Sequence, residues 1–141
     1  DDGVAEAIIE YFDETLGLDH LVVMNINDSF GNSYVRALKN AATKLAPNMT
    51  IVQIPMDETA DDESIRGAIA FIKASKYNHI FCIVLFSYYD KIMMEASRMG
   101  VAGDGEHNWL FSDLFSGVLN DREFEKGSSL QLAYRGTGML K

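Results

Sequence analysis

His20-Leu-Val-Val-Met-Asn-Ile-Asn-Asp-Ser-Phe-Gly-Asn-Ser-Tyr34 decides the fold. His20 to Ile26 reads as a short apolar strand, and apolar residues at successive positions mean that both faces of the strand are covered. Asp28-Ser-Phe-Gly-Asn-Ser33 is turn and cap chemistry, with Ser29, Asn32 or Ser33 placed to cap a helix and Gly31 to allow the turn. After it Val35, Leu38, Ala42 and Leu45 fall on one helical stripe, stopped by Pro47-Asn48. A buried strand delivering a helix across a tight turn is half of a parallel βαβ unit.

The same alternation continues in both directions. Upstream, Val4, Ala5, Ile8, Ile9 and Phe12 mark a helix over residues 4–16, ended by Gly17. Downstream, Thr50-Ile-Val-Gln-Ile54 is a second strand. An acidic connection from Asp57 to Glu63 leads into a helix carrying Ile65, Ala68, Ile69 and Ile72. His79-Ile-Phe-Cys-Ile-Val-Leu-Phe86 is the strongest strand, apolar on both faces. Tyr89 to Met99 is a helix with Ile92, Met93, Ala96 and Met99 inward, closed by Gly100. Trp109-Leu-Phe111 reads as a fourth strand, residues 120–126 as a short helix, and Leu130 to Tyr134 as a fifth strand. The expected architecture is α/β: a doubly wound, mostly parallel five-stranded sheet of order 2-1-3-4-5, with helices on both faces. Residues 1–141 form one domain without repeat, low-complexity tract or linker.

Composition narrows the function. With 12 Lys+Arg against 21 Asp+Glu the chain carries a formal charge of -9, so it lacks the basic footprint of a nucleic-acid binder. The same charge argues against an anionic membrane surface. No apolar run approaches the ~20 residues of a membrane span. Cys82 is the one cysteine, which excludes an internal disulfide and a Cys-based zinc site. In its apolar run it reads as a small buried hydrophobe. The acidic start, without a Met, gives the chain the look of a piece of a longer protein.

In an open doubly wound sheet, ligands bind beyond the carboxyl ends of the strands where strand order reverses. For order 2-1-3-4-5 that point lies between strands one and three. The loops there are Asn27 to Tyr34 and Ser87-Tyr-Tyr-Asp90, with Ser112-Asp-Leu-Phe-Ser-Gly117 beside them. Their hydroxyls, aromatics and carboxylates suit a small polar ligand. Asp28 orients a ligand amine or caps the helix, Tyr88 and Tyr89 stack on a ligand or cover the helix, and Asp113 contacts a ligand or caps. Both readings stay open in each case.

Other chemistries lack their motifs. No Gly-x-Gly-x-x-Gly, Gly-x-x-x-x-Gly-Lys-Ser/Thr or Gly-x-Ser-x-Gly is present. His20, His79 and His107 each precede a strand, at the end of the sheet opposite the expected crevice, and read as surface residues. The run Asp57, Glu58, Asp61, Asp62, Glu63 lacks calcium-loop spacing and reads as a solvated connection with helix-start charges. Met93, Met94 and Met99 read as packing residues. No catalytic residue, metal or cofactor is expected.

Leu21-Val-Val-Met-Asn-Ile-Asn-Asp-Ser-Phe-Gly-Asn-Ser-Tyr34 resembles the strand, Asp-x-x-Tyr/Phe-Gly and helix segment of type I periplasmic-binding-protein-like receptor domains. Ala70 to Val84 resembles their next helix and strand. Glu95-Ala-Ser-Arg-Met-Gly-Val-Ala-Gly103 resembles their helix end, and Trp109-Leu-Phe-Ser-Asp113 their Trp-hydrophobic-x-Ser/Thr-Asp strand. The four segments keep order and spacing over about residues 5–136. Two departures stand out: Gly17-Leu-Asp-His20 occupies the place where the family often has a Trp, and the first lobe is missing. The family includes natriuretic-peptide, GABA-B and metabotropic glutamate receptor ectodomains and bacterial amino-acid binders, in which two lobes close on a ligand.

The resemblance implies a second lobe, on the extracellular or periplasmic side of a membrane receptor, whose closure signals. It implies Asp28, Phe30, Tyr34, Ser87, Tyr88, Ser112 and Asp113 as ligand contacts, and the loops at the strand-order reversal add Ser29 and Tyr89 as candidates. The implied partners are a small molecule such as an amino acid, the missing N-terminal lobe, and a homodimer mate. Asn27-Asp-Ser29 and Asn48-Met-Thr50 are glycosylation triplets if the chain is secreted by a eukaryote.

The rival readings are a flavodoxin-like or receiver-like regulatory domain, an unrecognised small α/β enzyme, and a structural or dimerisation module. A receiver needs an Asp at the end of strand three and a late Lys. Here that strand runs out in Phe86-Ser-Tyr, and no strand-end Lys follows.

Overall fold

The computed structural model describes residues 2–112 and 137–140. The elements are α1 (Asp2–Glu10), β1 (His20–Ile26), α2 (Ser29–Leu45), β2 (Thr50–Met56), α3 (Asp62–Ser75), β3 (His79–Ile83), α4 (Tyr89–Arg98), β4 (Asn108–Ser112) and β5 (Thr137–Leu140). A π-helical stretch, Tyr11–Thr15, extends α1 to Gly17, whose φ of +66° stops it.

Among the described residues all strand pairings are parallel. Strands β2-β1-β3-β4 form the body of the sheet in that order, and the four residues of β5 pair beside β4. The fifth strand expected at Leu130 to Tyr134 lies outside the described residues, as do the helix expected at 120–126 and Asp113. The segment that pairs with β4 is instead Thr137–Leu140. β3 stops at Ile83, three residues short of the expected Phe86. Its pairing with β1 ends at Asn25↔Ile83, and the Tyr88 N–H then bonds the Leu85 carbonyl (3.0 Å) and winds the chain into a 3₁₀ turn, Phe86–Tyr88. Periodicity cannot see that end, because Val84 and Leu85 are as apolar as the strand before them.

Strand order reverses between β1 and β3. Right-handed crossovers therefore send α2 to one face of the sheet, and α3 and α4 to the other. The side chains divide accordingly. Val22, Met24, Ile26, Ile80, Cys82, Trp109 and Phe111 pack under α3 and α4, against Ile65, Ile69, Ile72, Ile92 and Met93. Leu21, Val23, Phe81 and Ile83 pack under α1 and α2, against Ile8, Ile9, Phe12, Val35 and Leu38. Burial on both faces explains the unbroken apolar strands. Cys82 is fully buried, which drives its thiol pKa up and keeps it a thiol. β2 is an edge strand, so Pro55 is tolerated within it. Among the described residues no helix is long and apolar enough to cross a membrane.

The histidines lie at the amino end of the sheet, away from its carboxyl edge. His20 stacks on Tyr77 with ring centroids 4.9 Å apart. His107 is not the surface residue expected. Its side chain is only 16% exposed and bonds Asp104 through Nδ1 at 2.6 Å. Asp104 also accepts the N–H groups of Glu106 and His107, which fixes the turn into β4. Burial pushes the Asp104 carboxyl up, but those amides and the His107 ring outweigh it and hold it below its ordinary 3.8.

His79 sets a pH dependence. Partial burial lowers its pKa below the ordinary 6.5, so the unfolded chain binds the proton more readily than the folded one. Its contribution is intact above pH 6.5 and shrinks as pH falls below it. The lowered Asp104 acts in another window, below its ordinary 3.8. The urea midpoint is therefore expected to fall between pH 7.5 and 5.5, and to fall less in His79→Gln. An equal slope in both proteins would refute the assignment.

Candidate functional site

At the end of β1 the chain must enter α2 within two residues. The Asn27 N–H extends the tie to β2 by bonding the Met56 carbonyl (2.8 Å). Asp28 then takes an extended conformation, and its Oδ1 accepts the Gly31 N–H at 2.7 Å. Asp28 is thus the N-cap, in place of Ser29, Asn32 or Ser33, because only Asp28 precedes the first helical residue with extended backbone. The bond engages Oδ1 and leaves the acidic group at the rim.

Gly31 does not serve the turn, as its φ is not positive. A Cβ there would stand 2.3 Å from the Ile26 carbonyl oxygen and 3.1 Å from Asn25 Nδ2. The glycine lets the first turn of α2 sit directly on the end of β1.

That close approach shapes an open hollow of about 710 Å³, lined by Asn27, Asp28, Ser29, Phe30, Asn32, Ser33, Arg36 and Glu58. Asn32, Ser33 and Arg36 share one face of α2, and Glu58 approaches from the loop after β2. Phe30 is 46% exposed, a large apolar group left at the rim. Among the described residues no ion pair engages Asp28, Arg36 or Glu58. By contrast, the hollow of about 560 Å³ on the outer side of α3 and α4 has its acids matched, Asp62 to Lys91 at 3.0 Å and Glu95 to Arg98. Opposite charges left unpaired around a concavity, with an aromatic rim, suit a small ligand bearing both signs. Among the described residues no group of His, Cys, Asp and Glu is placed to hold a metal.

The expected contacts separate into groups. Asp28, Ser29 and Phe30 line the hollow together. Tyr34 is half-buried and packs on Phe81 and Phe30, at 6.0 and 5.9 Å, and burial raises its pKa. Ser87 is exposed and Tyr88 half-buried at the end of β3, and neither lines the hollow. Tyr89 is core: it is 2% exposed, its ring lies 4.2 Å from that of Phe111, and its hydroxyl donates to the Ser112 carbonyl at 2.7 Å. Ser112 ends β4 buried, and among the described residues its Oγ has no hydrogen-bond partner. An orphaned hydroxyl at the carboxyl edge costs free energy unless something completes it.

Sequence reasoning centred the site between β1 and β3. The hollow lies one strand over, between the ends of β1 and β2. It recruits Asn32, Ser33, Arg36 and Glu58, which the sequence reading did not assign as contacts. The helical spacing of Asn32 and Arg36, on the same face as Ser29, was the signal available for two of them.

No family model matches the chain, and no curated protein matches it. Solved structures do. The extracellular ligand-binding receptor from Verminephrobacter eiseniae superposes with a TM-score of 0.72 at 13% identity, over 96% of this chain and 35% of that one. The fatty acid ABC transporter substrate-binding protein from Thermomonospora curvata gives 0.68 at 16% identity, over 96% and 33%. The leucine-binding protein from Thermotoga maritima gives 0.65 at 14%, over 80% and 30%. The chain spans about a third of the length of each. These are proteins of the type I periplasmic-binding-protein class, and the present chain has the fold of a single lobe of that class.

Proposed function

We propose that this chain is one lobe, the second in chain order, of an extracellular or periplasmic receptor domain that binds an amino-acid-like small molecule. The ligand sits on the carboxyl edge of the sheet, a partner lobe closes over it, and closure is passed on as a signal. The observation that carries the reading is the hollow beside β1, where Asp28, Glu58 and Arg36 stand without ion-pair partners among the described residues, next to the exposed Phe30. Ser112 Oγ, without a hydrogen-bond partner among the described residues at the same edge, supports it. So does the nature of the superposing proteins, a ligand-binding receptor, a substrate-binding protein and a leucine-binding protein, each about three times as long. The reading gives the chain no catalytic step. Within that class, the four family-like segments lead us to propose kinship with receptor ectodomains such as the natriuretic-peptide, GABA-B and metabotropic glutamate receptors.

An amide-resolved NMR titration of this chain with pooled L-amino acids tests the proposal. Shifts are expected at residues 27–36 and 58, with a weaker set at 85–88 and 112. The affinity is expected to be millimolar, about 4 kcal/mol, because a single lobe supplies only part of the contacts. Shifts confined to other surfaces, or tight binding of a nucleotide in their place, would overturn it.

A further inference from the structure

Beneath the hollow runs a polar chain that the core has no need of. Lys39 Nζ donates to Gln53 Oε1 at 3.2 Å, and Gln53 Nε2 donates to Asn25 Oδ1 at 3.2 Å. Asn25 Nδ2 donates to Asn32 Oδ1 at 3.3 Å and to the Ile26 carbonyl at 3.0 Å, and Asn32 Nδ2 donates to Asn27 Oδ1 at 2.8 Å. Four side-chain bonds in series run one way, from an exposed ammonium to the rim of the hollow. Asn25 and Gln53 lie on the same side of the sheet, two register steps apart across β1 and β2, and α2 covers them with Lys39 and Asn32.

Asn25, at the centre, is fully buried inside an otherwise apolar strand. An amide in that position is costly unless every group is bonded, whereas a hydrophobe of its size would need no partners. What the amide adds is direction. Hydrogen bonds in series polarise one another, and a charged donor at the head strengthens the effect. The series ends at Asn27, whose main-chain N–H is taken by Met56 and whose Oδ1 accepts from Asn32, while among the described residues its side-chain N–H2 donates to nothing. Its amide N–H2 is the polarised terminal donor, at the rim of the hollow. Arg36 stands one turn beyond Asn32 on the same face of α2, so guanidinium and amide share one side of the concavity.

We infer that the relay Lys39–Gln53–Asn25–Asn32–Asn27 makes Asn27 the donor to a ligand carboxylate, so that a zwitterion lies with its carboxylate toward Asn27 and Arg36 and its ammonium toward Asp28 and Glu58. This rests on the ligand-lobe reading above. Asn27 is the contact residue, and Asn25, Asn32, Gln53 and Lys39 are positioning residues acting through it.

The test uses the whole chain and three variants of probe: sodium acetate, ethylammonium chloride and the amino-acid pool, each followed by amide NMR. Asn27→Asp turns the donor into an acceptor. Acetate is expected to bind it about tenfold more weakly, while ethylammonium binds as well or better. Lys39→Met leaves the hollow untouched, and the exposed site makes folding secure. It is expected to move the Asn27 side-chain NH2 resonances upfield with no ligand present, a change that loss of a merely structural contact four bonds away would not produce. Equal weakening of both probes in Asn27→Asp, or unmoved Asn27 NH2 resonances in Lys39→Met, would overturn the inference. If the amino-acid pool shifts the hollow while those results go against the relay, the inference falls and the ligand-lobe reading stands. If neither the pool nor acetate shifts any residue of the hollow, both fall.

Discussion

Trp109→Ala is expected to cost about 3–5 kcal/mol of folding stability, a large share of what a domain of this size has. Trp109 is 2% exposed in β4, its ring 6.5 Å from Phe111, which in turn packs at a tilt on Tyr89 at 4.2 Å. Truncation removes the largest buried side chain under α4 and leaves a cavity bounded by β3 and β4, which regular pairing prevents from collapsing. It also frees the Val101 carbonyl, which accepts from Trp109 Nε1 at 2.9 Å and anchors the loop between α4 and β4. Since Trp109 is the only tryptophan, unfolding is best followed by far-UV circular dichroism. The melting temperature should drop on the order of 10–15 °C. Trp109→Phe, which keeps most of the volume, should lose less than half as much. A loss below about 1 kcal/mol in Trp109→Ala would mean that β4 is not part of the cooperative core.

The architecture was legible because burial on both faces leaves a strong imprint. A parallel sheet with helices above and below writes its strands as unbroken apolar runs and its helices as stripes, and His20–Ile26 followed by the stripe from Val35 to Leu45 shows both. The pairing order was read as the usual one for this count of alternating elements. Ends were less legible. β3 stops at Ile83 although β1 runs on to Ile26 and β4 to Ser112, because the chain leaves the sheet for the 3₁₀ turn Phe86–Tyr88, and that departure leaves no mark in the apolar run from His79 to Phe86.

The candidate site was read in part. Asp28, Ser29 and Phe30 were found because turn residues after a strand advertise a carboxyl edge. Tyr89 misled because a tyrosine opening a helix looks the same in sequence whether its phenol faces solvent or, as here, the carbonyl of Ser112. The relay stayed hidden for a different reason. Asn25, Gln53 and Lys39 are 28 and 14 residues apart, and meet only through the register of β1 on β2 and the placement of α2 over both. Arg36 and Glu58 likewise come together only when the loop after β2 faces α2.

Gly31→Ala joins fold and site in one substitution, and is expected to destabilise the domain by about 3 kcal/mol, the upper part of the range for overpacking. The new Cβ would stand 2.3 Å from a main-chain oxygen, that of Ile26, which no rotamer change can move away. The first turn of α2 must therefore lift from β1. Lifting it lengthens the Asp28 cap, whose donor is the Gly31 N–H itself, and the 3.3 Å bond between Asn25 and Asn32 on which the relay depends. Gly67→Ala is the control. It lies mid-helix in α3 with nothing within 4 Å of its added Cβ, so only the helix-propensity gain remains, about 0.5–1 kcal/mol of added stability. Urea denaturation separates the two by sign. Binding separates them further: in conditions where both variants are folded, Gly31→Ala should lose the amino-acid-induced shifts at residues 27–36, and Gly67→Ala should keep them. A Gly31→Ala protein as stable as wild type would show that α2 does not rest on the end of β1, and the hollow, whose walls are those two elements, would then lose its physical basis.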